Sequence, residues 1–142
     1  MASKLVFVDT SGLVALLNED DSQHPAAASM WGEFARAGSK VILTDWVIAE
    51  TGNGLARTKA RAAFVETARR FLRSTDGRLV TVGNEILSKA LQLYSERPDK
   101  TWGLVDCASF VVMSQEGVFD AFTNDRHFEQ AGFNCLLPAS AV

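Results

Sequence analysis

The sequence is poor in the residues that several common chemistries need. Among 142 residues there are 2 cysteines and 2 histidines. Cys107 and Cys135 lie far apart, with no CxxC and no Cys/His ligand spacing, which argues against a zinc site or a disulfide framework. Both are expected to act as small buried apolar groups. His24 and His127 are lone, and surface or capping roles are expected for them rather than metal ligation. No apolar run approaches the length that spans a bilayer. Only Lys4 is basic before the chain reaches Asp9, which is not the pattern of a signal peptide. A soluble, cytoplasmic protein is expected. No phosphate-binding glycine loop and no serine or cysteine triad is evident.

What is present suits one globular domain, expected to run over residues 1–142, with 47% apolar and 22% charged residues. The net charge of −3 conceals an asymmetry. The segment from Arg57 to Arg78 holds Arg57, Lys59, Arg61, Arg69, Arg70, Arg73 and Arg78 against only Glu66 and Asp76, so the remainder of the chain is strongly acidic. A basic strip of this kind binds a polyanion or is simply a solvated helix face; on composition alone the second is the simpler account.

The run Leu5-Val6-Phe7-Val8 fits a strand buried on both faces, and it stops on Asp9. In an open α/β sheet the carboxyl ends of the strands are where ligands bind, so Asp9 is either a functional carboxylate there or the cap of a helix starting near Gly12. An acidic loop follows at residues 18–22, then a helix with Pro25 in its first turn that continues from Ala26 to Ala37 and stops at Gly38. Val41-Ile42-Leu43 reads as a second strand, and Thr44 or Asp45 caps a helix to Ala56 in which Gly52 and Gly54 either end it early or admit a close neighbour. An amphipathic helix is predicted over Ala60 to Ser74, a turn at Asp76-Gly77 and a third strand over Leu79 to Val82. A helix opened by Asn84 and Glu85 is closed by Pro98, and a largely buried one runs from Leu104 to Gln115. Val118 to Thr123 is a fourth strand, again ending beside an aspartate, Asp125, which with Arg126 opens a short helix; Asn134 to Leu137 is the last strand. Such alternation predicts an α/β fold, a mostly parallel sheet of four to five short strands with helices on both faces, and brings the ends of strands one and four to one edge.

Four acids stand out by position: Asp9 after strand one, Glu50 in the helix after strand two, Asp106 at the start of a buried helix, and Asp125 after strand four. Asp106 and Glu50 lie in apolar-patterned segments, where an unpaired carboxylate is costly, although a first-turn acid is also favoured by the helix dipole. Converging carboxylates repel one another unless a cation is present. An oxygen-rich cluster suits a hard ion, Mg²⁺ or Mn²⁺, which can activate water for in-line attack on a phosphodiester.

These residues carry a resemblance. Leu5 to Ser11, Val47-Ile48-Ala49-Glu50-Thr51, Trp102-Gly103-Leu104-Val105-Asp106-Cys107 and Phe122 to Phe128, in this order and followed by Gly132-Phe133, resemble the motifs of the PIN-domain nucleases, in particular the VapC-type toxins of bacterial toxin–antitoxin pairs. The resemblance implies a three-layer α/β/α sandwich, metal-dependent endoribonuclease activity on RNA, a homodimer, and an antitoxin protein that blocks the site. The family's metal-binding and catalytic acids fall on Asp9, Glu50, Asp106 and Asp125, and its neighbouring hydroxyl on Thr123. Asp99 occupies a position that is often acidic in relatives and is expected in the loop or the periphery of the site. Gly103 and Val105 depart from the family, which often has hydroxyl residues there.

The mechanism expected is hydrolysis by a metal-activated water, with Asp9, Asp106 and Asp125 holding the ion, Glu50 completing the set or acting on a proton, and Arg57 to Arg73 touching phosphates or a partner. An aspartate-based phosphotransferase would want a second acid where Ser11 stands, and a receiver domain would want paired acids there and a late lysine. The alternative kept is a PIN-like module that binds RNA or protein without cutting.

Overall fold

The computed structural model describes residues 4–76 and 78–139. The strands are β1 (Leu5–Val8), β2 (Lys40–Thr44), β3 (Leu79–Val80), β4 (Asp120–Phe122) and β5 (Asn134–Cys135). The helices are α1 (Thr10–Leu17), α2 (His24–Ala37), α3 (Asp45–Leu55), α4 (Arg61–Arg73), α5 (Asn84–Glu96), α6 (Leu104–Glu116) and α7 (Arg126–Gln130). The five strands form one sheet in the order β3-β2-β1-β4-β5, and every neighbouring pair is parallel.

The apolar run of β1 sits at the centre because both its faces can be covered: Val6, Phe7 and Val8 are all buried. Phe7 is level with Ile42 on one side and Ala121 on the other. Right-handed crossovers decide where the helices go. The chain steps from β1 to β2 to β3 in one direction, which puts α1 to α4 on one face. It then crosses back to β4 and on to β5, which puts α5 to α7 on the other. The packing agrees, since α1 touches α2 and α3, α3 touches α4, α5 lies on α6, and α6 meets α7. The sheet order reverses at β1, so the crossovers diverge beside its carboxyl end and leave a crevice there.

Several element limits differ from the sequence expectation. α1 starts at Thr10, not Gly12, because the chain turns into the helix directly after Asp9. β3 is cut at Val80, since the amide of Val82 donates to the Asp45 carboxylate (2.9 Å) instead of to a strand. β4 is shorter than Val118 to Thr123, and β5 shorter than Asn134 to Leu137. Even so, the amides of Leu136 and Leu137 still reach Ala121 O and Thr123 O at 2.9 and 3.2 Å. Of the turn expected at Asp76-Gly77, Gly77 lies outside the described residues. The two glycines in α3 do not end it. A Cβ on Gly52 would stand 2.9 Å from the Phe64 ring of α4, so the missing side chain admits that ring. Both cysteines are free, Cys107 buried and Cys135 half-buried. Among the described residues no helix is long and apolar enough to cross a membrane.

Gly12 is the tightest point of the fold. A Cβ there would lie 2.0 Å from the carbonyl oxygen of Phe122 and 2.6 Å from its ring. This close approach holds the first turn of α1 against the end of β4, where the Asp9 amide donates to the same Phe122 oxygen at 3.3 Å. A Gly12→Ala protein should lose about 3 kcal/mol or more by chemical denaturation, because backbone rather than a flexible side chain must move. Gly83→Ala, with nothing within 4 Å, should remain within about 0.5 kcal/mol of the parent.

Candidate active site

The chain turns at the end of β1 so that Asp9 occupies the N-cap position of α1, yet its side chain makes no capping hydrogen bond. The carboxylate faces across to β4 instead. Its Oδ2 accepts from Thr123 Oγ1 at 2.8 Å, with Ser11 Oγ at 3.3 Å. Of the two roles that the sequence left open for Asp9, capping is therefore not the one it fills.

The hydrogen bonds of this cluster converge on Asp9. Backbone amides can only donate: the Asn124 amide donates to Ser11 Oγ at 3.1 Å and the Asp125 amide to Thr123 Oγ1 at 3.0 Å. Thr123 Oγ1 donates to Asp9, and Ser11 Oγ, 2.8 Å from Thr123 Oγ1 and 3.3 Å from Asp9 Oδ2, has one proton to give to either. Two amides and two hydroxyls thus line up toward one carboxylate oxygen. Thr123 is fully buried and Asp9 is only 3% exposed, so the alignment is held in a dry setting.

Asp106 lies in the first turn of α6 and reaches back, so that its Oδ2 accepts from the Gly103 amide at 3.1 Å. Asp125 caps α7, its Oδ1 accepting from the His127 amide at 2.9 Å. His127, expected at the surface or in a cap, stands between these two acids. Its Nδ1 is 3.0 Å from Asp106 Oδ2 and 3.4 Å from Asp125 Oδ1, and its Nε2 is 3.2 Å from Thr101 Oγ1. For a neutral ring this places the proton on Nδ1 and leaves Nε2 to accept from Thr101. Asp106, Asp125 and His127 each offer a ligand atom within 4.8 Å of the others. The Asp-x-His spacing across the first turn of α7 was the available signal for His127, and two residues apart is a short reach on a helix end.

Glu50, on α3, stands apart from that group. It is exposed, and its Oε1 accepts from Thr10 Oγ1 at 2.5 Å. Asp99 is also on the surface, where both its oxygens meet Arg97, at 3.0 Å to Nε and 3.0 Å to Nη2. That ion pair holds the Asp99 carboxyl below its usual range, chiefly through the hydrogen bonds from Arg97.

All four acids share one feature. Each has one oxygen tied by the protein: Asp9 Oδ2, Glu50 Oε1, Asp106 Oδ2 and Asp125 Oδ1. The other oxygen of each carries no hydrogen bond among the described residues. Burial pushes the Asp9 pKa up from 3.8 to about 7, the Thr123 hydroxyl and Thr10 amide pull it down, and the charges of Asp106 and Asp125 raise it further. Asp106 is also raised, by burial first and then by Asp125, against the opposing pull of the Gly103 amide and His127. Asp9 and Asp106 are therefore held where carrying both charges is unfavourable in the protein alone. A hard cation taking the free oxygens would relieve this, and the all-oxygen donor set fits Mg²⁺ or Mn²⁺.

The model of the PIN domain family matches residues 6–134. The 23S rRNA-specific endonuclease VapC20 of Mycobacterium tuberculosis is 32% identical over 134 residues, covering 94% of this chain and 99% of that protein. The crystal structure of Mycobacterium tuberculosis VapC20, described as a Sarcin-Ricin loop cleaving toxin, superposes with a TM-score of 0.81 at 30% identity over 94% of this chain and 99% of that one. FitAcB from Neisseria gonorrhoeae, at 17% identity and a TM-score of 0.61 over 92% and 95% of the two chains, shares the fold.

The raised acid has a measurable consequence. Between pH 4 and 7 the folded chain keeps a proton on Asp9 that the unfolded chain has released, so stability without added metal should fall as pH rises through this interval and level off above it. In Asp9→Asn that slope should be smaller, and the variant should melt several degrees above the parent at pH 8, with the gap closing near pH 4. Thermal melts in EDTA across this range check both points.

Proposed function

Because the chain belongs to the PIN domain family, we propose that residues 1–142 act as a single domain, a metal-dependent endoribonuclease that serves as the toxin of a toxin–antitoxin pair. The observation that carries the reading is the set of acids with one oxygen fixed and one free. Fixed oxygens make the carboxylates rigid, and free ones leave them able to bind a cation without breaking the network. Asp9, Asp106 and Asp125 hold Mg²⁺ or Mn²⁺, and Glu50 completes the set from the α3 side. When bound, the ion supplies a nucleophilic water at neutral pH and shields the phosphate's negative charge.

The protein's own groups account for the remaining needs. The aligned protons of Ser11 and Thr123 favour the ionised form of Asp9 and aim its free oxygen. Asp106 and Asp125 are oriented by the Gly103 and His127 amides and bridged by the His127 ring, which keeps the two charges apart without a salt bridge from a lysine or arginine. Where Glu50 is left out of the metal set, its free oxygen is exposed and would accept a proton from water. Hydrolysis replaces one P–O ester bond with a bond to the water oxygen, so one fragment keeps the phosphate and the other leaves with a hydroxyl protonated from solvent.

A cytoplasmic site of action, a homodimer and an antitoxin that covers the acidic crevice follow from the same reading. Apolar surface is available for such contacts, since Leu72 is 71% exposed on α4 and Phe119 70% exposed before β4.

The sarcin–ricin loop, which the similar VapC20 toxin of Mycobacterium tuberculosis cleaves, is the first substrate to try. Purified protein with Mn²⁺ or Mg²⁺ should cut an RNA carrying this loop, and EDTA should stop it. Asp9→Asn and Asp106→Asn should each lower kcat/KM on the order of a hundred- to a thousandfold while remaining folded. Thr123→Val, which leaves the acids in place but removes the aligned proton, should cost about ten- to a hundredfold. Binding of RNA without cleavage by the parent protein would favour the non-cutting module instead.

A further inference from the structure

Beside the acidic crevice is a cavity of about 510 Å³, lined among others by Tyr94, Arg97, Lys100, Thr101, Trp102 and Cys107. It adjoins the acids directly. Thr101 touches the His127 ring, whose other nitrogen meets Asp106, and Cys107 follows Asp106 in the chain. Its character is the opposite of theirs. No acidic side chain lines it, and it brings together two cations and two aromatic rings.

These groups are placed differently. Arg97 is immobilised, its guanidinium 5.0 Å over the centre of the Trp102 ring and fastened at its edge by both oxygens of Asp99. Trp102 is itself anchored, buried and donating from Nε1 to Gln130 Oε1 at 3.0 Å. Lys100 makes no ion pair among the described residues. Tyr94 is 54% exposed on the outer side of α5 and packs into no core cluster. A rigid wall therefore carries one loose cation and one uncovered aromatic face. That is the pairing by which proteins hold a single-stranded nucleotide, with the base stacked on the ring and the phosphate on the cation.

We propose that this cavity is a nucleotide subsite, holding the RNA residue next to the scissile phosphate with its base on Tyr94 and its phosphate at Lys100 and Arg97. The inference rests on the nuclease reading for the identity of the polymer and adds where the flanking residue lies. A site of three carboxylates repels an RNA backbone, so the affinity that brings a phosphate to it must come from cations close by. This wall supplies them one imidazole away. Asp99 thereby acquires a role at the periphery of the site: it fixes Arg97 in the subsite.

The test separates binding from cleavage. Binding of a fluorescein-labelled single-stranded RNA is measured by polarisation in EDTA on protein carrying Asp9→Asn, with and without Tyr94→Ala or Lys100→Met. Each added change should weaken binding about tenfold. Lys100→Met should also lower the slope of log K against log salt by about one, and Tyr94→Phe should restore binding. In the active protein the same changes should raise KM while moving kcat less than about twofold. Tyr94 is exposed and Lys100 half-buried without an ion pair among the described residues, so melting temperatures should stay close to the parent. Unchanged binding and KM in a protein that cleaves RNA overturns the subsite and leaves the nuclease standing. Binding that depends on Tyr94 in a parent that cleaves nothing upholds the subsite and overturns the nuclease. Equal displacement of the RNA by polyglutamate at matched ionic strength overturns it in favour of an acidic protein segment.

Discussion

One buried hydroxyl governs the carboxyl edge of the sheet. Thr123 follows β4, fully buried, and its oxygen accepts from the Asp125 amide. Its hydroxyl donates to Asp9, across the β1–β4 pair. Everything that makes Asp9 more than a cap follows from this bond. It fixes one oxygen of the carboxylate against the end of β4. It also depends on register: Val8 must stand level with Phe122 for the residues that follow to meet, and the missing side chain at Gly12 is what allows the two strand ends to approach. Packing and electrostatics are here the same constraint.

The fold was legible in the sequence because it is written in strong, short signals. The uncharged run Leu5 to Val8, the two glycines at 38 and 117 that take left-handed conformations after α2 and α6, and Pro25 in the first turn of α2 each have a local cause. The limits that shifted are where a tertiary bond replaced a strand bond, as Asp45 does for Val82. The positions of Asp9, Asp106 and Asp125 could be inferred from strand ends and a helix start. For His127 the Asp-x-His spacing signalled nearness to Asp125, but its contact with Asp106 depends on how α6 meets α7, which periodicity does not encode. Nor does it encode the difference between Glu50, held by a hydroxyl at the surface, and the aspartates, Asp9 buried and Asp106 and Asp125 half-buried. The pairing of Arg97 with Asp99 was equally hidden, since a loop sequence does not say which neighbour a charge will choose.

The charge asymmetry of the chain reads differently once folded. The basic segment from Arg57 to Arg78 is carried largely by α4, a helix with no fully buried residue that packs chiefly on α3. Its arginines are spent partly on local partners, Arg70 on Glu66 at 2.7 Å and Arg61 on the Ala56 carbonyl at 3.1 Å. Arg97 and Lys100, outside that strip, line the cavity next to Thr101 and the His127 ring. Proximity in the fold, and not density along the sequence, sets the field at a site, so the charge run on α4 does not by itself say where a polyanion would lie.

The central claim is that three aspartates are built with one oxygen fixed and one reserved for a cation. A crystal soaked in Mn²⁺ tests it most directly through the anomalous difference map. The account predicts a peak bounded by the free oxygens of Asp9, Asp106 and Asp125, with the Thr123 to Asp9 bond intact beside it. A map with no peak there, or a peak reached only by turning Asp9 away from Thr123, would contradict it.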